Sequence, residues 1–306
     1  MAKSKHRGLC RRLSAPVSAF LALAVCLFLK GINDPERAVN AAAREDHKPA
    51  LGIENALFLD LPSVGACEGV TVLRPLSPIE AGGYTASPLA EGFPVSEALC
   101  TLGKALALCP EGFFAALTEG TGGLVFALTG GIRAEGGMPR PAGFTSDRDG
   151  GVLIVLDVSK GLSTNTVFHE LCHAIDRRIA ASEREKSESR FEESWLALCP
   201  RGFSYYYSYT DVSGAPYSDS ASPAFTAEEA GGVYFINRYS KTYPTEDRAV
   251  LFETLMRAVP EAPYMRSPHI IMKLDYYFAA IRFYLDPEGE WTEPTFWEER
   301  LYALLK

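Results

Sequence analysis

A chain of 306 residues with 47% hydrophobic and 22% charged side chains can bury one large core or two modest ones, and it is not collagen, a coiled coil or wholesale disorder. Its charge is uneven. Residues 1–30 carry six Lys or Arg and no acid, so the remaining 24 basic and 38 acidic residues leave a net charge of about −14, a surface that disfavours phosphate and argues against nucleic acid as a partner.

The amino terminus has the pattern of an export segment. Five Lys or Arg residues precede an apolar run from Leu13 to Leu29, broken only by Ser14, Pro16 and Ser18. The positive end stays in the cytoplasm and the rest crosses, as a cleaved signal or an uncleaved anchor. Residues 1–30 are therefore expected to be a signal peptide or amino-terminal membrane anchor, with residues 13–29 the tether if it is uncleaved. Residues 31–50, polar and Ala-rich, read as a linker, and 51–306 as one domain that is extracellular or on the cell surface. Outside the export segment lie Cys67, Cys100, Cys109, Cys172 and Cys199. Their odd number forbids complete pairing within one chain and their spacing is wrong for a zinc ribbon, so mostly buried thiols are expected, with one or two bridges if the compartment is oxidising.

The first half of the domain mixes strands and helices. Val70–Leu73 and Leu124–Leu128 are β-like runs bounded by Gly or Pro. Val95–Leu108 reads as a helix with Ser96 as its cap. Asp149-Gly150-Gly151 opens the strongest strand, Val152–Asp157. Ser163-Thr164 then caps a helix that runs to about Ala181, with Val167, Leu171, Ala174 or Ile175, and Ile179 on one face. The second half reads as mainly helical, over Glu188–Leu198, Thr245–Ala258, Ser267–Leu285 and Glu293–Leu304, with a tyrosine-rich loop Tyr205–Tyr209 between the first two. The segment Leu106–Phe113 echoes Leu196–Phe203, and similar helix stop signals account for it as well as a duplication does.

The chemistry sits on the helix after the strongest strand, in His169-Glu170-Leu171-Cys172-His173. Residues four apart share a helix face, so both imidazoles can reach one metal ion, and the Glu170 carboxylate can reach a water on its open side. Two histidines, a third protein ligand and an activated water make a zinc hydrolase. With only five histidines in the chain, a chance match to His-Glu-x-x-His is expected on the order of 0.01 times. Asp176 and Ile179 stand where a metzincin carries Gly and a third His, so that pattern is absent. A carboxylate from a later helix is then the natural third ligand, and two glutamates qualify. Glu193 follows at short spacing; Glu246 lies on the first turn of its helix if Ala249 and Phe252 pack inward. Asp176 either orients a ligand histidine or pairs with Arg177 or Arg178 on the surface. Cys172 reads as a buried thiol and His269 as a structural residue.

The stretch His169-Glu170-Leu171-Cys172-His173-Ala174-Ile175-Asp176, followed by Tyr239, Glu246, Ala249 and Phe252, resembles the catalytic domain of the anthrax lethal factor family and related bacterial zinc metallopeptidases. In that family the helix ends His-Ala-apolar-Asp, a tyrosine precedes the glutamate ligand by seven positions, and Ala and Phe follow at the same offsets. The resemblance covers about residues 150–255 and rests on these two short motifs. It implies His169, His173 and Glu246 as ligands of one zinc ion per chain, Glu170 as general base, and Tyr239 as donor to the developing oxyanion. Tyr243 competes for that last role, because it too precedes Glu246 in a loop. It also implies a small sheet against the metal-bearing helices. The chain departs from the family at Arg248, where an aromatic is common, and at Val250, where a second glutamate is common. No counterpart of the toxin's translocation-partner binding region is present.

The expected architecture is α+β and zincin-like: a small mixed sheet with an edge strand beside the active-site helix, followed by a mainly helical half. An extended peptide or protein substrate would pair with Gly151–Asp157 if that strand is the edge. The expected activity is zinc-dependent hydrolysis of peptide bonds. The alternatives are an inactive surface-binding protein of the same fold, which the intact Glu170 argues against, and hydrolysis of a non-peptide amide.

Overall fold

The computed structural model describes residues 53, 55–61, 69–134, 140–185, 190–217, 232–257 and 262–306. The expected export segment and the linker lie outside these residues. No helix among the described residues is long and apolar enough to cross a membrane. The fold is mixed α+β.

A five-stranded sheet forms the centre, from β1 (Ala56–Phe58), β2 (Val70–Pro75), β5 (Leu124–Thr129), β7 (Gly143–Arg148) and β8 (Gly151–Asp157). Its order is β1-β2-β5-β8-β7. The pairs β2–β5 and β5–β8 are parallel, whereas β1 and β7 join antiparallel at the two edges. A second, antiparallel sheet of β3 (Ile79–Ala81), β4 (Tyr84–Ala86) and β6 (Ile132–Ala134) has the order β3-β4-β6.

The apolar runs of β5 and β8 follow from burial on both faces. Leu124, Phe126 and Leu128 of β5, with Val152, Ile154 and Leu156 of β8, face the helical core. Val125, Ala127, Leu153 and Val155 face a second core shared with Leu73, Ile79, Ala86, Ile132 and Phe144. Side chains alternate across a strand, so each strand feeds both cores.

Seven helices are described: α1 (Ser96–Leu106), α2 (Phe113–Thr118), α3 (Thr164–Glu185), α4 (Phe191–Ala197), α5 (Pro244–Met256), α6 (Pro268–Leu285) and α7 (Phe296–Leu304). The first begins after Val95, so Ser96 is its first residue rather than its cap. The histidine helix α3 continues to Glu185, one turn beyond the expected end. The echo of 106–113 in 196–203 is one turn used twice. In each, Cys N–H bonds back three residues, Phe N–H bonds to the Pro carbonyl, and the glycine takes a positive φ, 76° at Gly112 and 79° at Gly202. Both segments stop a helix, which accounts for the echo.

The expected edge strand is corrected. Gly151–Asp157 is not an edge; it lies between β5 and β7. Asp149 and Gly150, at φ 46° and 80°, form the hairpin turn that leads from β7 into β8. The strand beside the histidine helix is β7, whose Gly-Phe-Thr-Ser-Asp-Arg sequence has too little apolar alternation to announce a strand.

Candidate metal centre

Helix α3 is divided lengthwise. Val167, Leu171, Ala174, Ile175 and Ile179 are fully buried in the helical core, which turns His169, Glu170, His173 and Arg177 toward β7 and α5. The two imidazoles stand edge to face, with ring centroids 4.9 Å apart.

Helix α5 packs alongside α3 and brings Glu246 to the two imidazoles from its first turn. Tyr243 is extended at φ −141°, ψ 152°, Pro244 occupies the first turn, and Glu246 and Asp247 sit at the positive end of the helix dipole. Ala249 and Phe252 are fully buried, as the placement of Glu246 required. Glu246 Oε2 lies 3.1 Å from His169 Nε2 and 3.5 Å from His173 Nε2. One ligand atom from each of the three residues lies within 4.8 Å of the others. Glu193, the other sequence candidate, is exposed on α4 and is not in this group.

The electrostatics favour a cation where the three side chains converge. Burial opposes protonation of His169, but the Glu246 and Glu253 carboxylates outweigh it and hold the ring well above its ordinary value. Burial likewise opposes ionisation of Glu246, yet the two imidazoles hold its carboxyl well below the usual range. Two imidazole nitrogens and one carboxylate oxygen are a donor set suited to zinc.

Glu170 stands beside this group, not in it. Thr145 of β7 donates from Oγ1 to Glu170 Oε2 at 2.8 Å. A Cβ on Gly143 would come 2.9 Å from Glu170 Cγ, so only glycine lets β7 approach this closely. Burial raises the Glu170 carboxyl above its ordinary value, against the pull of His169, His173 and Thr145.

Tyrosines cover the opposite side. Tyr206 and Tyr207 N–H donate to the carbonyls of Lys241 and Thr242, which lays the tyrosine-rich loop along the turn holding Tyr239. Tyr209 stacks on Tyr239, with centroids 6.0 Å apart, and its hydroxyl donates to Glu246 Oε1 at 2.9 Å. The Tyr239 ring lies 6.4 Å from that of His169. Burial and the nearby Glu246 raise both phenols, so both stay protonated donors. Of the rival donors, Tyr239 lines the cleft, while Tyr243 packs against Tyr207 and Tyr209. The cleft over the site has a volume of about 1100 Å³ and runs along α3 between β7 and α5.

The sequence of the Tyr205–Tyr209 run is that of a cleft lining or of aromatic loop packing, and Tyr209 lines the cleft. Two other partners escaped sequence reasoning. Thr145 lay in an unrecognised strand. Glu253, whose Oε2 is 3.4 Å from His169 Nδ1, lies seven residues after Glu246; that two-turn spacing was a usable signal.

Asp176 fits neither sequence reading. It is buried and accepts from Arg248 Nε at 3.0 and 2.8 Å and from the Tyr277 hydroxyl at 3.1 Å. Arg177 pairs instead with Asp147, and Arg178 with Glu119. Cys172 is a buried thiol, 2.9 Å from the Tyr277 hydroxyl, and burial raises it well above its ordinary value. His269 stacks on Tyr234 with centroids 3.6 Å apart. Cys100, Cys172 and Cys199 form no disulfide.

Comparison with protein-family models, with curated proteins and with solved structures finds no match to this chain. The functional reading therefore rests on the site.

Proposed function

We propose that the protein is a zinc-dependent peptidase of zincin-like architecture, exported by its amino-terminal segment. The observation that carries the reading is the convergence of His169 Nε2, His173 Nε2 and Glu246 Oε2 from two helices, with the Glu170 carboxylate beside them on the floor of an open cleft.

A zinc ion held by these three residues would polarise a scissile carbonyl and acidify a bound water. Glu170 takes the water's proton and returns it to the leaving amine. The Thr145 hydroxyl fixes the direction of Oε2. Tyr239 and Tyr209 are the neutral phenols near enough to donate to an oxyanion over the histidines.

The outer edge of β7 offers the substrate a strand to pair with. Asp157 N–H bonds to Ala142 O, so the backbone groups of Gly143, Thr145 and Asp147 point away from β8. Arg177 already donates to Thr145 O at 3.1 Å and Ser146 Oγ to Asp147 O at 3.3 Å, which leaves Gly143 and the N–H groups of Thr145 and Asp147 to receive a peptide.

The test is zinc content per chain beside hydrolysis of a peptide mixture. Wild type and Glu193→Ala should each hold about one zinc and Glu246→Ala almost none. Glu170→Gln should keep its zinc and lose hydrolysis by about 10²–10⁴-fold. A wild type that takes up no zinc on reconstitution sinks the proposal. A zinc-loaded wild type that cleaves only non-peptide amides redirects it.

A further inference from the structure

Three consecutive ionisable residues near the start of α5 are buried, Glu246 at 4%, Asp247 at 0% and Arg248 at 2% exposure. Each reaches a different part of the molecule. Glu246 meets the two histidines of α3. Asp247 pairs with Lys273 of α6 at 2.6 Å and accepts from the Tyr205 hydroxyl at 2.7 Å. Arg248 pairs with Asp176 of α3 at 2.8 Å and with Glu192 of α4 at 3.2 Å.

We infer that the buried Arg248–Asp176 ion pair is a positioning device for Glu246, setting the register of α5 against the helix that carries both histidines. The inference rests on the metal-site reading above. Asp176 lies three residues beyond His173, on the same strip of α3. The pair therefore spans the interface that the Glu246–imidazole contacts span, about one turn further along. Arg248 Nε addresses both Asp176 oxygens, and the Tyr277 hydroxyl holds Oδ1, so the acceptor is fixed as well as the donor.

General stability is a weak reason to keep such a pair, because apolar residues of similar volume usually serve as well in a buried place. What a directional pair adds is register. The Asp247–Lys273 pair one residue earlier is buried at least as deeply, but it ties α5 to α6, which bears no ligand. It is the natural control.

The experiment measures zinc affinity by chelator competition, the visible absorption of the cobalt-substituted protein, and thermal stability of the metal-free protein. It compares wild type, R248K, the double variant D176N/R248M and the control double variant D247N/K273M. Neither double variant leaves a buried charge unpaired within the pair it removes. D176N/R248M should bind zinc about 10–100-fold more weakly and change the cobalt spectrum, even where its metal-free stability equals that of the control. R248K, which keeps the charge, should recover part of the affinity. D247N/K273M should keep wild-type affinity and spectrum. Wild-type affinity and spectrum in D176N/R248M, or equal losses in the control, overturn the positioning role while leaving the metal site standing. A wild type that binds neither zinc nor cobalt overturns the metal site, and the positioning role with it.

Discussion

The sheet half and the helical half of this protein are filled with different material. Among the described residues, every buried charged side chain lies at Glu170 or later: Glu170, Asp176, Glu183, Glu246, Asp247, Arg248, Lys273 and Glu298. The interior between β2 and β8 is almost wholly aliphatic and aromatic, with Thr129 the buried polar residue there. The first half draws its stability from area removed from water, which is tolerant of which apolar residue does it. The second half buries charges that must each find a partner, which is not tolerant. The candidate metal centre lies along their boundary, on α3.

The largest expected effect breaks the comparison at its most buried pair. Lys273→Met leaves the enclosed Asp247 carboxyl without its cation, and should cost about 3–5 kcal/mol in denaturant unfolding. Removing the Asp247 charge too should recover much of that. In the sheet half, Leu153→Met at a fully buried site should cost less than about 1.5 kcal/mol. If Lys273→Met costs no more than that, the two halves are not built differently.

A smaller effect falls on the proposed catalysis at the boundary. Thr145→Val keeps the shape of β7 but removes the hydroxyl that directs Glu170. It should lower kcat about tenfold, about 1.4 kcal/mol, with KM and zinc content little changed. A matching loss of zinc would place Thr145 in metal retention instead.

The smallest effect is a pH dependence in the last helix. Burial opposes ionisation of Glu298, but bonds from Arg282 and Thr295 outweigh it and hold the carboxyl below its ordinary 4.5. The folded chain thus binds this proton less readily than the unfolded chain. The stabilisation is fully present above 4.5 and is lost as pH falls through the depressed folded value. Glu298 also closes a capping box with Thr295, so Glu298→Gln should cost about 1 kcal/mol or less near neutrality. That difference should vanish in acid. A pH-independent difference would assign the effect to the cap alone.

What the sequence determined by itself was local and periodic. The apolar runs of β2, β5 and β8 were legible because strands buried on both faces need continuous hydrophobic residues. Helix α3 was legible from its apolar stripe, and the shared face of His169 and His173 from their four-residue spacing. Glu246 was legible as one of two glutamates, through its place ahead of Ala249 and Phe252. What only the tertiary structure decided was every contact between distant segments. The edge strand β7 shows no apolar alternation, because one of its faces meets a glutamate and not a core. Arg248 was visible in sequence only as a departure; its partner, Asp176, lies 72 residues away. Thr145, Tyr209 and Glu253 have ordinary local patterns and acquire meaning from what they touch. Periodicity records which face of an element is buried, but the partner of a buried polar group is set by how the elements pack, and no local spacing encodes that.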